Sequence, residues 1–322
     1  MATAVTDIPT NPVVCCIAGP TASGKSAIAT ALAKRWPIEI INVDSATIYQ
    51  HMNIGTAKPS AQERLHTPHH LLDLIDPTGS YSVAQFRTDA QNAVQAVLSR
   101  GHIPLLVGGT MMYFNALKNG LHNLPGADQS VRDQIEIEAR AEGWPAMHQK
   151  LSQVDAITAA RLAPHDSQRI QRALEVWRSS GVTLSEWLSQ PLPQSAHAFS
   201  TRLISLEPSD RLTLHRRIEN RFDAMLEEGL VNEVRALFER GDLNPNMPSI
   251  RCVGYRQIWG NLTGELSLAD AREQAVAATR QLAKRQLTWL RGMPERTVID
   301  CLDVNATSQV IDQLALHFKP II

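Results

Sequence analysis

No feature of this chain constrains its fold more than the stretch Gly19-Pro20-Thr21-Ala22-Ser23-Gly24-Lys25-Ser26, which matches the pattern GxxxxGK[ST]. The pattern works mechanically only where a strand ends and a helix begins. There the loop N–H groups and the helix N-terminus converge and form a cradle for an anion. Both flanks are present. Val13 to Ala18 is an uninterrupted apolar run, and a helical pattern follows from Lys25 to about Arg35. In such a loop Lys25 brings a point charge to phosphate and the Ser26 hydroxyl is placed for Mg²⁺.

A strand–loop–helix unit of this kind implies a parallel sheet with crossover helices, and the following residues continue that alternation. Ile38 to Val43 and Ile103 to Val107 are aliphatic runs that end in Asp44-Ser45 and Gly108-Gly109-Thr110. Leu203 to Leu206 reads as a fourth strand. A helix over Val83 to Arg100 places Val83, Phe86, Ala90, Ala93, Val94 and Val97 on one face, with Gly101 as its stop. From Leu121 to Phe199 the alternation gives way to helices punctuated by Gly143, Pro164, Gly181 and Gln190-Pro191-Leu192-Pro193. Asp155 and Ser167 are candidate N-caps there. Ser209 to Glu228 and Ser267 to Leu290 read as long helices, followed by a short apolar piece at Thr297 to Ile299. The predicted fold is α/β: a P-loop NTPase-like parallel sheet flanked by helices, with a helical insertion domain and a helical C-terminal region. Its expected parts are the first part of the core at 1–120, the insertion at 121–200, and the rest of the core with C-terminal helices at 201–322.

Composition excludes several alternatives. With 322 residues, 43% of them hydrophobic and 20% charged, the chain can bury a full core. Cys15, Cys16, Cys252 and Cys301 have neither CxxC spacing nor the framework of a small secreted protein, which points to a reducing cytoplasm. The N-terminus carries Asp7 and no basic-then-apolar signal, and Val13 to Ala18 is far too short to span a bilayer. Secretion and membrane insertion are therefore not expected. The net charge of -1 hides local clusters. Arg280, Lys284, Arg285, Arg291 and Arg296 stand against Glu295 alone, and Arg161, Arg169, Arg172 and Arg178 gather on another segment. Charge alone allows either a polyanion docking site or ordinary solvated helix faces.

Asp44 falls at the carboxyl end of a predicted strand, the edge where open α/β sheets bind ligands. From position it is a catalytic group, a metal or water-positioning carboxylate, or the cap of a turn. His69 and His70 lack a third ligand, so a metal pair is not expected there. Trp177, Trp187, Trp259 and Trp289 could stack on bases, although tryptophan at helical spacing is more often core.

Seven segments carry a wider resemblance: GPTASGKSAIA at 19–29, VDSATIY at 43–49, IGTAKPS at 54–60, LLVGGTMMYFNAL at 105–117, RALEVW at 172–177, SIRCVGYRQIW at 249–259 and ATRQLAKRQLTWLRG at 278–292. Through their content, order and spacing the chain resembles the tRNA dimethylallyltransferase family (also called tRNA isopentenyltransferase or IPP transferase) along nearly its whole length. The absence of an appended Cys/His zinc motif matches the bacterial type.

The resemblance implies an enzyme that moves a dimethylallyl group from dimethylallyl diphosphate to N6 of adenosine 37. That adenosine lies in the anticodon loop of tRNAs reading codons that begin with U. It implies that the P-loop holds the diphosphate with Mg²⁺ through Thr21, Lys25 and Ser26, that Asp44 is the general base, and that Arg221 helps stabilise the leaving group. The implied tRNA contacts are Asp44, Ser45, Ala46 and Thr47; Thr110 and Arg132; and Gln168, Arg169, Ile170, Gln171 and Arg172. They continue with Arg251, Cys252, Val253, Gly254, Tyr255 and Arg256, and with Lys284, Arg285, Gln286, Leu287, Thr288, Trp289, Leu290 and Arg291. The insertion would clamp the anticodon stem, and the enzyme would act as a cytoplasmic monomer. Thr47 departs from the glutamine many members carry. Rival expectations are an adenylate prenyltransferase, against which the insertion and the basic C-terminal segments argue; a P-loop RNA-binding regulator, which would bind RNA but transfer nothing; and a small-molecule kinase, which has no use for the RCVGYR and KRQLTWLR segments.

Overall fold

A computed structural model describes residues 12–192 and 199–318; Asp7 and Pro193, used above, lie outside them. The chain divides into two compact units, one formed by Met1–Lys118 with His197–Ile322 and the other by Asn119–Ala196.

The first unit begins β1 (Val13–Ala18), α1 (Lys25–Ala33), β2 (Ile38–Val43), α2 (Ala61–His66), β3 (His69–His70), α3 (Val83–Ser99), β4 (Ile103–Gly108) and α4 (Met111–Asn119). The second holds α5 (Gln129–Glu142), α6 (Trp144–Val154), α7 (Ala156–Ala159), α8 (Ser167–Ser180) and α9 (Leu184–Ser189). The first then resumes with β5 (Ser200–Glu207), α10 (Arg211–Glu227), α11 (Leu230–Glu239), α12 (Tyr255–Leu262), α13 (Leu268–Arg291), β6 (Thr297–Asp300) and α14 (Ala306–Ala315).

The strands form one sheet in the order β3-β2-β4-β1-β5-β6, and every pairing is parallel. Both faces are covered, which is why the strands read as continuous apolar runs rather than alternating ones. On one face Val14, Cys16, Ile41 and Leu106 pack with Phe86, Ala90, Val94 and Val97 of α3, Phe114 and Leu117 of α4, and Leu287 and Leu290 of α13. On the other, Cys15, Ile17, Ile40, Leu105 and Ile204 pack with Ile28, Ala29 and Leu32 of α1 and with Val310, Ile311 and Leu314 of α14. A third core joins Ile48, Tyr49 and Met52 to α10–α13. The insertion has a core of its own around Ile135, Met147, Leu151, Ile170 and Leu174.

The apolar piece at Thr297 is a true strand, pairing with β5 at the sheet edge. The two-residue β3 was not foreseen, because His69 and His70 carry no strand pattern; they pair only with Ile40 and Ile41. His70 Nε2 lies 2.5 Å from Glu39 Oε2, and Glu39 also receives a bidentate Arg100 and His102 Nδ1. His70 thus has a structural partner. The Arg100 hydrogen bonds, with those of His70 and His102, hold the Glu39 carboxyl down at about 2 despite its burial. Ser167 is not the cap of α8 as expected. Asp166 takes that place, its side chain accepting from the Arg169 N–H, while Asp155 does cap α7. Gly181 ends α8 with φ 71, a left-handed conformation in which a Cβ would be strained. No helix among the described residues is long and apolar enough to cross a membrane.

Candidate active site

Three loops leave the carboxyl ends of the adjacent strands β1, β4 and β2: the P-loop, Gly109-Thr110 and Asp44-Ser45. Adjacency in the sheet, rather than in sequence, is what brings them together. At the end of β4, a Cβ on Gly108 would come 2.0 Å from the Val43 carbonyl oxygen, so only glycine lets this strand end approach β2. Gly109 and Thr110 both donate to that same oxygen, and the Ser45 N–H donates to Thr110 Oγ1 at 3.0 Å. Asp44 is held by its Oδ1, which accepts from the Ala46 N–H at 2.8 Å. Its Oδ2 has no hydrogen-bond partner among the described residues.

The P-loop holds a concentrated positive charge. Lys25 Nζ donates to the carbonyls of Gly19 at 3.0 Å and Pro20 at 2.7 Å, which leaves the third ammonium proton available. Burial and then the neighbouring Arg221 guanidinium push the Lys25 amine down to about 8, against the pull of Asp44. Arg221, projecting from α10, is likewise lowered by burial and raised by Asp44. No ion pair holds Arg221 among the described residues. Both cations are partly desolvated and share Asp44, with Glu228 also acting on Arg221, and neither is held in an ion pair among the described residues, a setting that suits an anion. The Ser23 hydroxyl supports the same conclusion, being 2% exposed and without a hydrogen-bond partner. Ala22 stands at φ 63, so the loop holds a residue other than glycine in a costly conformation next to that anion site.

Tyr113 and Cys252 complete the surroundings of Asp44. Burial pushes the Cys252 thiol up to about 12, with the Asp44 charge adding to it. Burial and Asp44 raise the Tyr113 phenol as well. Tyr113 stacks on Phe86 with ring centroids 3.9 Å apart. Sequence reading missed Tyr113, since its place in the LLVGGTMMYFNAL segment reads as a core helix and only the fold brings its phenol within electrostatic reach of Asp44.

Some expected tRNA contacts have side chains engaged elsewhere. Leu287 and Leu290 belong to the sheet core, and Ile170 belongs to the insertion core. Tyr255 is buried with its hydroxyl 2.5 Å from Glu233 Oε1, and the Thr47 hydroxyl accepts from Asn42 Nδ2. Gln286 is buried and bonded to backbone. The side chains of each segment thus divide between the core and the surface, because helical periodicity turns part of each segment inward. Lys284, Arg285, Thr288, Trp289 and Arg291 remain exposed on α13, as do Arg251 in the turn before α12 and Arg256 in its first turn. Of the cluster noted from sequence, Arg280 pairs with Glu219 and Arg296 with Glu207, whereas Lys284, Arg285 and Arg291 have no ion pair among the described residues. In the insertion, Arg132 and Arg172 both pair with the fully buried Glu175, and Arg169 pairs with Asp166.

A P-loop at the carboxyl edge of a parallel sheet, with Asp44 at the end of a neighbouring strand, defines a P-loop NTPase-like α/β protein. Residues 47–293 match the family model described as IPP transferase. The chain is 57% identical over 305 residues to a tRNA dimethylallyltransferase of Bordetella petrii, covering 94% of this chain and 96% of the relative. It is 56% identical to one from Ralstonia nicotianae, covering 94% and 95%. Among solved structures, a tRNA isopentenylpyrophosphate transferase of Bacillus halodurans is 35% identical with a TM-score of 0.68, over 95% of this chain and 96% of that one. A eukaryotic dimethylallyltransferase caught acting on tRNA is 28% identical with a TM-score of 0.79, over 97% and 81%. The chain belongs to the IPP transferase family.

Proposed function

We propose that this chain transfers a dimethylallyl group from dimethylallyl diphosphate to N6 of adenosine 37 in the anticodon loop of tRNAs that read codons beginning with U, releasing diphosphate. The observation that carries the reading is the pairing of one free carboxylate oxygen, on Asp44, with two partly desolvated cations, Lys25 and Arg221, at the P-loop. The carboxylate suits a base, and the cations suit a leaving group that gains charge.

The diphosphate lies on the loop amides, against Lys25, the Ser23 and Ser26 hydroxyls and Thr21. As the C1–oxygen bond breaks, negative charge grows on the departing oxygen, and Lys25 and Arg221 stabilise it without having to reorganise. The adenine amine is a weak nucleophile while its lone pair is delocalised into the ring. Asp44 Oδ2 accepts its proton as the new nitrogen–carbon bond forms. Mg²⁺, when bound with the diphosphate, neutralises part of its charge. Among the described residues no cluster of His, Cys, Asp or Glu could hold a metal alone, and Mg²⁺ commonly takes most of its ligands from phosphate and water. Ser26, exposed at the start of α1, fits as the protein ligand.

The acceptor base must leave its stack to reach Asp44, at a cost of a few kcal/mol. Phosphate contacts from Lys284, Arg285 and Arg291, and from Arg251 and Arg256, offset that cost. The insertion adds contacts through Gln168, Arg169 and Gln171, with Arg132 and Arg172 keeping partial exposure beside Glu175. The enzyme acts as a cytoplasmic monomer. Incubation with labelled dimethylallyl diphosphate and unmodified tRNA, followed by location of the label, tests donor, acceptor and position together. Label on free AMP, or none on tRNA, overturns the reading.

A further inference from the structure

Gln286 lies on α13 between the exposed Lys284-Arg285 pair and the exposed Thr288-Trp289 pair, yet it is only 8% exposed itself. Leu287 and Leu290 show that this inner face of the helix packs well with aliphatic side chains, and a buried amide there is costly unless its hydrogen bonds are made. They are. Oε1 accepts from the Thr21 N–H at 3.0 Å, and Nε2 donates to the Gly109 carbonyl at 2.8 Å. A donor on one side and an acceptor on the other fix which way the amide faces.

The first bond sets the geometry of the P-loop. The Pro20–Thr21 peptide is planar, and it is restrained at both ends. Gln286 takes its N–H, while its carbonyl accepts from Lys25 Nζ at 2.7 Å and from the Ser23 N–H at 3.3 Å. The second bond reaches the residues that flank Asp44. Gly109 and Thr110 donate to the Val43 carbonyl, and Thr110 Oγ1 accepts from the Ser45 N–H. A Cβ on Gly109 would stand 2.4 Å from Nε2, so the contact is as close as glycine permits.

We propose that Gln286 is a positioning residue for the transfer reaction. It ties the loop that holds the diphosphate to the loop that carries the base, so that both keep one separation. The role rests on the reaction proposed above, while the two hydrogen bonds stand independently of it. Its reach follows from geometry: a misplacement of about 1 Å between reacting groups costs on the order of 10²-fold in rate.

Steady-state kinetics of Gln286→Met, Gly109→Ala and the double variant test the role. Gln286→Met should lower kcat about 10- to 100-fold with tRNA Kd, by filter binding, within about twofold of the parent. Gly109→Ala displaces the amide without removing any charged group and should show the same loss, and the double variant should be no slower than the worse single one. Gln286→Glu keeps the acceptor for Thr21 and loses the donor to Gly109, so it should fail to restore the rate. Amide hydrogen exchange at Thr21 should quicken in Gln286→Met, which reads the bond itself. Unchanged kcat with Thr21 protection lost overturns the role, as does a loss of tRNA affinity matching the loss of rate. A parent protein that transfers nothing to tRNA overturns the reaction and the role together, whereas an active parent with an unimpaired Gln286→Met overturns the role alone.

Discussion

The P-loop core and the helical insertion treat charge in opposite ways. In the core, Lys25 and Arg221 lie partly desolvated beside each other near Asp44, with Glu228 also acting on Arg221, and neither has an ion pair among the described residues. In the insertion, Glu175 is fully buried but accepts from Arg132, Arg172 and the Asp128 N–H, and Glu138 accepts from Arg178 and Lys150. The insertion's arginines stand out as a cluster in sequence, whereas Lys25 and Arg221 come together only in the fold. The difference is that charge balanced within the fold serves structure, whereas charge left in excess in a desolvated site awaits a ligand. The number of cations in a segment does not separate the two cases; their partners do.

The largest expected effect breaks the core side of this contrast. Asp44→Ala should lower kcat by about 10² to 10⁴ while tRNA affinity stays within a few-fold, because a base acts mainly in the transition state. Single-turnover transfer and filter binding, measured on one preparation, check it; equal losses in both would make Asp44 a tRNA contact instead.

Lys25→Ala should weaken donor binding and slow transfer together, by the roughly 1.5 to 3 kcal/mol of a charge-assisted contact. A sharper version uses pH. The free-enzyme amine is lowered to about 8, and bound diphosphate favours its charged form. Donor affinity in the parent should therefore fall as pH rises above about 8, and binding near that pH should take up a fraction of a proton. Calorimetry in buffers of different ionisation enthalpy reads the proton directly. A donor affinity that is flat from pH 7 to 9.5 would remove Lys25 from phosphate binding.

On the insertion side, Glu175→Ala should destabilise Asn119–Ala196 by about 2 kcal/mol, the lower end for a broken buried pair because both arginines reach solvent. Arg132 and Arg172 hold the Glu175 carboxyl below the usual carboxylate range despite its burial, so its contribution is present near neutral pH and is lost as pH falls through the folded value. Peptide-resolved hydrogen exchange should show faster opening across α5 and α8 and little change in the strands of the core. Unaltered exchange would mean that the insertion does not depend on balancing its charges.

The smallest effect concerns the exposed face of α13. Removing Lys284 or Arg285 should reduce the slope of log affinity for tRNA against log salt by somewhat under about one, with donor affinity untouched. An unchanged slope with reduced thermal stability would return these residues to ordinary solvated surface.

The local features of the core were legible in the sequence because short-range chemistry specifies them. β1 and β2 fall where their aliphatic runs lie, and α1 starts at the lysine of the loop. Ser267, read as the start of a long helix, caps α13, and in the insertion Gly181 stops α8 as expected. The His69-His70 strand and the Asp166 cap were not legible. The strand has no pattern of its own and exists only through pairing with β2, and Asp166 and Ser167 are adjacent residues with similar capping chemistry.

By itself, the sequence determined the anion cradle, the parallel α/β class, the helical character of the insertion and, through seven matching segments, the family. These rest on patterns spanning a few residues or on their order along the chain. Tertiary structure decided which cations are paired and which are not among the described residues, that Tyr113 comes within electrostatic reach of Asp44, and that Gln286 faces inward while Lys284 and Arg285 face out. Residues 177 and 265 positions apart meet at Gln286, and such contacts depend on strand order and helix rotation, which no local pattern encodes.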